Sequence, residues 1–323
     1  MKLTKKSALS ATLSLTLIIC ILLLALRPEI YLKSSLDGIK LWAITVTPSL
    51  LPFFFLTSLT ASTGMISRVS AKTEKVMRKV FRCGGICSYV FLMSVLSGYP
   101  VGAKIISDLE KNGVISPDEA TRTSTFCSTS GPLFIIGSVG TGMFGDKRVG
   151  YCIIIAHILS AVLCGITFRF YGKTDLNKNF RPTLKRSENI LYDCVYSSVI
   201  SVAVVGGFIC VFYVFADMLF NLKITLPVET LFTLITGNKE ISKAFVAGLI
   251  ECTRGCKALS ESVNPLRVSL ACANVSFGGI SVIFQSVAFL KSAKVKISVF
   301  VLSKILQTAY SFALCLLIYN FLF

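Results

Sequence analysis

The chain has 323 residues, 54% hydrophobic and 15% charged, with a mean hydropathy of +0.74. Soluble domains carry roughly 25% charged residues, and the apolar excess here is gathered into blocks long enough to cross a bilayer. That excludes a soluble enzyme, a secreted disulfide scaffold and a disordered chain. The balance of 33 basic against 16 acidic residues, net +17, reads as the positive-inside bias of cytoplasmic loops and predicts no nucleic-acid partner.

In chain order, Lys2, Lys5 and Lys6 precede Ala8–Leu26, an uncharged stretch of spanning length, read as an uncleaved first span. A second span is expected over Leu36–Ile66, kinked in its middle by Pro48 and Pro52. A basic loop follows with Arg68, Lys72, Lys75, Arg78, Lys79 and Arg82. Cys83–Ser97 is too short to cross and runs into Gly98-Tyr-Pro-Val-Gly-Ala-Lys104. A polar helical stretch turns at Asn112-Gly113, restarts at the Ser116-Pro-Asp-Glu119 cap and stops at Ser128-Thr-Ser-Gly-Pro132. Gly98–Pro132 is therefore read as a re-entrant hairpin with a broken end. Leu133–Phe144 and Val149–Phe170 are further spans, and Arg169–Arg186 is a second basic loop. The pattern then recurs: a span at Val199–Phe220, a polar hairpin at Ile241–Asn264, and a break at Asn274-Val-Ser-Phe-Gly-Gly279 inside a span from Val268 to Leu290. A third basic loop holds Lys291, Lys294 and Lys296, and Ile297–Phe323 is the last span.

The recurrence defines a fold class: an all-α polytopic membrane protein with inverted repeats, re-entrant helical hairpins and broken helices. Residues 1–30 hold the N-terminal span, 31–186 the first repeat and 187–323 the second. Pro52 aligns with Gly206, Gly102-Ala-Lys104 with Gly255-Cys-Lys257, and Phe126-Cys127 with Ala271-Cys272. With the N-terminus and the three basic loops placed in the cytoplasm, each repeat makes an odd number of crossings. The second copy is then inverted, the architecture of secondary transporters.

Unwound backbone inside hydrocarbon survives only where it is buried or lines a wet cavity. Candidate solute contacts are therefore Gly98, Tyr99 and Pro100; Ser128, Thr129 and Ser130; Glu251, Thr253 and Arg254; and Asn274 and Ser276. Lys104 and Lys257 hold equivalent places in the two repeats and carry the charge an anion needs, alongside the positive ends of helices. Glu251 either pairs with Arg254, three residues on, or serves a coupling ion, H⁺ or Na⁺. Asp217, near a span end, reads as interfacial. His157, the one histidine, has no acidic neighbour in sequence and reads as packed. Twelve cysteines lie mostly in apolar runs as small hydrophobes. The Cys83/Cys87 and Cys252/Cys256 pairs lack a further Cys or His to complete a zinc tetrahedron, so no metal and no cofactor are expected. No nucleotide-binding loop and no catalytic constellation occurs.

Three runs carry a family resemblance: Leu96-Ser-Gly-Tyr-Pro-Val-Gly-Ala-Lys104, Glu119-Ala-Thr-Arg122 and Phe126-Cys-Ser-Thr-Ser-Gly-Pro-Leu-Phe-Ile-Ile-Gly137. With Gly248-Leu-Ile-Glu-Cys-Thr-Arg-Gly255, they resemble the YlbJ family of sporulation integral membrane proteins, a group of the nucleoside-recognition, or Gate, domain proteins. The resemblance spans roughly residues 36–320. It implies a fold like that of concentrative nucleoside transporters, with paired hairpins around the solute. It also implies a role in endospore formation: moving dipicolinate, a small aromatic dianion, across the outer forespore membrane of a bacterial cell. The expected partners are a small anionic solute, the lipid bilayer and a coupling ion, with oligomerisation open. A nucleoside or nucleobase carrier, which would lean on Asn274 and Glu251, and a non-transporting sporulation scaffold remain the alternatives.

Overall fold

A computed structural model describes residues 5–61, 65–173 and 189–323. Within them the chain is helical, with no strand. Four helical stretches are long and apolar enough to span a membrane: 147–167, 190–221, 265–293 and 297–322. Two sharply bent helix pairs raise the number to six if each pair is one span. The protein is a polytopic membrane protein.

Helix α1 (Lys5–Leu26) meets α2 (Pro28–Lys40) at a bend of 100°. Proline is favoured in the first helical turn, where its missing N–H costs no hydrogen bond, so Pro28 opens the new helix. The expected kink at Pro48 and Pro52 takes another form. The chain stays helical through a π-helical stretch (Leu41–Val46) into α3 (Thr47–Ala61), which holds Pro52 in its interior. A widened turn releases a carbonyl that a proline ring would otherwise strike.

The first basic "loop" is instead helix α4 (Met65–Phe81), set at 90° to α5 (Ile86–Ser97). Its apolar residues recur at helical spacing, and Met77 and Phe81 are buried in the core beneath it. Most of the second basic loop lies outside the described residues.

The first hairpin also differs from its expected extent. Its arms are α5 and α6 (Val101–Lys111), and its tip is Gly98–Pro100. Gly98 closes α5 with φ 78°, a left-handed conformation that glycine adopts without a Cβ clash. A Cβ on Gly102 would stand 3.0 Å from Ser94 Oγ across the tip. Helix α7 (Pro117–Ser124), capped by Ser116, belongs to a separate, broken element. After a non-helical stretch through Ser128–Gly131, that element resumes as a π-helix (Leu133–Met143). Helix α8 (Lys147–Thr167) follows. Its cap, Asp146, is held below the usual carboxylate range by its hydrogen-bonded ion pair with Arg148.

The second half repeats this order. Helix α9 (Ile190–Asn221) and the short α10 (Leu226–Thr236) lead to a hairpin of α11 (Lys239–Ile250) and α12 (Cys252–Leu259), with Glu251 at its tip. Helices α13 (Pro265–Phe277) and α14 (Gly279–Leu290) form the broken element, and α15 (Ile297–Leu322) ends the fold. This break is narrower than expected. Asn274–Phe277 remain helical, and only Gly278 and Gly279, both at positive φ, interrupt the helix.

The helix contacts are reciprocal between the halves. Helix α6 packs on α14, and α12 on the 133–143 π-helix. Helix α3 touches α5 and the π-helix, as α9 touches α11 and α14. Helix α4 packs on α5 as α10 does on α11. Helices α3 and α9 pack on each other, and so do α8 and α15. Exchanging the halves maps these contacts onto one another, whereas the packing of α13 on α15 has no comparable counterpart between α7 and α8.

Candidate functional site

All four chain breaks meet at one place. A Cβ on Gly98, at the first tip, would lie 2.8 Å from the Gly131 nitrogen in the first broken helix. A Cβ on Gly279, in the second broken helix, would lie 3.0 Å from both the Cys252 nitrogen and the Ile250 oxygen at the second tip. Close approach of backbone to backbone is what these glycines permit.

Buried side chains tie the halves together. His157 on α8 accepts the Ser130 N–H at Nε2 (2.9 Å), and its Nδ1 lies 2.8 Å from Ser276 Oγ. A backbone N–H can only donate, so Nε2 carries the lone pair. The imidazole is then the neutral Nδ1–H tautomer donating to Ser276. Tyr99 reaches across from the first tip, its hydroxyl 3.0 Å from the Val275 carbonyl and 3.2 Å from that of Ser276. Lys304 on α15 donates to the Ser128 carbonyl (2.9 Å), Gln307 Oε1 (2.8 Å) and the Tyr99 hydroxyl (3.2 Å). Its ammonium also sits 5.0 Å from the Tyr99 ring centre. It is fully buried and makes no ion pair among the described residues.

Beside this knot is a partly open cleft with a cavity volume of about 60 Å³. Gly98 and Tyr99 line it from the first tip, and Glu251, Cys252 and Thr253 from the second. Ser130, Gly131 and Phe134 come from the first broken helix; Ser281, Val282 and Gln285 from the second. Val46, Leu50, Val205 and Ile209 complete the wall from the α3 and α9 sides. Four helical segments begin here: α6, α12, the π-helix and α14. Glu251 caps α12 by accepting the N–H groups of Thr253 (3.2 Å) and Arg254 (2.7 Å). The other three have no side-chain cap, so their partial positive charge is not met by a carboxylate.

Of the residues singled out in the sequence, Gly98, Tyr99, Ser130, Glu251 and Thr253 line the cleft. Pro100 ends the first tip. Ser128 offers its carbonyl to Lys304, Thr129 pairs with Ser94 Oγ at 2.8 Å, and Ser276 serves His157 and Tyr99. Asn274 is fully buried between Gly248 and Gly255, behind the cleft. The three cationic candidates lie elsewhere. Lys104 reaches Ser197 on α9 at 3.4 Å. Arg254 and Lys257 line a second cavity with Ser34, Asp37, Tyr213 and Asp217. Arg254 pairs there with Asp217, which also accepts the Ser34 hydroxyl. Glu251 therefore caps a helix and Asp217 takes the arginine. Lys304, Ser281 and Gln285 escaped the sequence reading. Lys304 stood inside an otherwise ordinary span, and its intramembrane charge was the available signal.

A helical membrane protein whose interrupted helices and hairpin tips meet at a mainly apolar cleft carrying a few polar groups is the class this geometry defines. The chain matches the nucleoside-recognition (Gate) family over residues 43–147. It is 31% identical over 324 residues to the sporulation integral membrane protein YlbJ of Bacillus subtilis (strain 168), covering 91% of this chain and 79% of that protein. The chain belongs to the YlbJ family of sporulation integral membrane proteins. No solved structure matches it.

Proposed function

We propose that the protein is a secondary transporter of a small anionic aromatic solute, dipicolinate, working across the outer forespore membrane during sporulation. It is not an enzyme in this reading. The two halves are inverted repeats, and rocking of one against the other exposes the cleft to alternate sides, driven by an H⁺ or Na⁺ gradient.

The observation that carries the reading is the convergence of three uncapped helix starts on one cleft, with the unpaired ammonium of Lys304 directly behind Tyr99. Both features favour negative charge in a place where solvent screening is weak. The aromatic and aliphatic lining, with Tyr99 and Phe134 among it, suits a flat ring, and Ser130, Ser281 and Gln285 supply polar contacts. The nucleoside reading leaned on Asn274 and Glu251. The first is packed behind the cleft and the second is engaged in capping α12, which favours the anion.

Purified protein in liposomes tests this. Saturable uptake of labelled dipicolinate under an imposed proton or sodium gradient, with little uptake of uridine, is expected. Preferential uridine uptake would transfer the protein to the nucleoside class, and uptake of neither would leave the scaffold.

A further inference from the structure

At the corner between α4 and α5, away from the cleft, the fold gathers three metal-ligating side chains from two parts of the chain. Cys83 lies in the turn, Cys87 in the first turn of α5 and Glu119 in the first turn of α7. The two thiol sulfurs and a carboxylate oxygen of Glu119 all lie within 4.8 Å of one another, and all three residues are buried. Cys87 Sγ is 3.6 Å from Glu119 Oε1. Thr123, one turn along α7, places Oγ1 3.2 Å from Cys87 Sγ and 3.8 Å from Cys83 Sγ. A zinc tetrahedron with Zn–S of about 2.3 Å and Zn–O of about 2.1 Å has edges of roughly 3.5–3.8 Å. Cys87 Sγ and Glu119 Oε1, at 3.6 Å, already stand at such a separation, and Cys83 Sγ lies within 4.8 Å of both residues' donor atoms.

Two further features point at the same centre. In a capping box the acidic residue at the third helical position reaches back to the N–H of its cap. Glu119 occupies that position behind Ser116, and its own N–H bonds Ser116 Oγ. Its carboxylate turns away, accepting the Gly84 N–H at 2.6 Å beside the thiols. Arg122, one turn along α7 from Glu119, is 1% exposed; its Nη1 bonds the carbonyls of Tyr171 and Lys173, and among the described residues no oxygen or nitrogen accepts from its Nε or Nη2. Two thiolates and a carboxylate around a divalent cation leave one net negative charge, which one guanidinium balances.

We infer that Cys83, Cys87 and Glu119 form a structural site for a divalent thiophilic cation of the zinc class, with Thr123 Oγ1 facing the fourth position. Binding releases both thiol protons to solvent. Thiolate donors select against calcium and magnesium. The site staples the α4–α5 corner to α7, and so steadies the first hairpin from its outer end. The C-x₃-C spacing alone lacked a third ligand, and folding supplies it from Glu119.

The test uses wild-type protein purified in detergent without chelator, with metal counted by plasma mass spectrometry. About one zinc per chain is expected. After stripping with a chelator, added Co²⁺ should give a thiolate-to-cobalt charge-transfer band. Cys83→Ser and Glu119→Gln should each lower the zinc content several-fold, and Cys210→Ser, on the remote α9, should not. If Cys83→Ser fails to fold, the wild-type count and cobalt spectrum still decide. Wild-type protein with negligible zinc and no cobalt–thiolate band overturns the assignment, as does a full band in folded Cys83→Ser.

Discussion

His157→Leu is the sharpest test of how the halves are joined. The substitution keeps roughly the volume of the imidazole and removes both of its hydrogen bonds, to the Ser130 N–H at 2.9 Å and to Ser276 Oγ at 2.8 Å. His157 and Ser276 are both fully buried, so no solvent replaces what is lost. A stranded buried donor costs about 1–3 kcal/mol, and the second bond adds about 0.5–1.5 kcal/mol, for a total of about 2–4 kcal/mol. At about 2–4 °C per kcal/mol, the slope of large single domains, the unfolding midpoint in detergent should fall by about 4–16 °C. Ser276→Ala alone should cost about 1 kcal/mol. Adding it to His157→Leu should cost almost nothing more, because the shared bond has already gone. Scanning fluorimetry reads all three variants. An unchanged midpoint in His157→Leu, or fully additive effects in the double variant, would refute the bridge between the two broken helices.

Other substitutions probe the cleft and its supports. Gly255→Ala puts a Cβ 2.2 Å from Gly248 Cα, and Gly102→Ala one 1.9 Å from the Cys127 carbonyl. Neither backbone neighbour can swing aside, so each should abolish liposome uptake and lower the midpoint, whereas Gly207→Ala, with open space around it, should do neither. Lys304→Met should raise the apparent KM for dipicolinate by about tenfold, equivalent to about 1.4 kcal/mol; an unchanged KM would show that its charge does not hold the anion. Lys104→Ala and Lys257→Ala, whose side chains lie outside the cleft, should change uptake by less than about twofold. Cysteines placed at Lys111 and Asn238, at the outer ends of the two hairpins, should react with an impermeant maleimide from opposite faces; labelling from one face would remove the inversion.

The spans and the punctuation between them were legible because hydropathy and Gly-Pro interruptions are local signals. The Ser128–Pro132 break lies where the sequence puts it, and the second hairpin falls within the expected Ile241–Asn264 stretch apart from the start of α11, with Glu251 as its tip. The first tip was harder to read. Gly98-Tyr-Pro100 and Ser128-Thr-Ser-Gly-Pro132 carry the same kind of punctuation, and only the packing of Gly102 on Ser94 and Cys127 tells a hairpin tip from a broken span. Helix α4 was hidden by its charges, which sit on one face of a helix whose other face is buried. Partner choice was hidden by distance along the chain. Arg254 had Glu251 three residues away, yet it pairs with Asp217, because the Glu251 carboxylate is taken by the N-terminus of α12. His157 and Lys304 each looked solitary in sequence. Their partners, Ser276, Ser128 and Tyr99, arrive only when the two halves close on each other.

Equilibrium dialysis of labelled dipicolinate against the purified protein bears most directly on the idea that the meeting of four chain breaks is one seat for an anion. Ser281 lines that seat from α14, and Ser281→Leu should fill it. The account predicts one bound dipicolinate per wild-type chain and none in a Ser281→Leu variant whose unfolding midpoint stays near wild type. Equal binding by the two proteins, or no binding by the wild type, would contradict it.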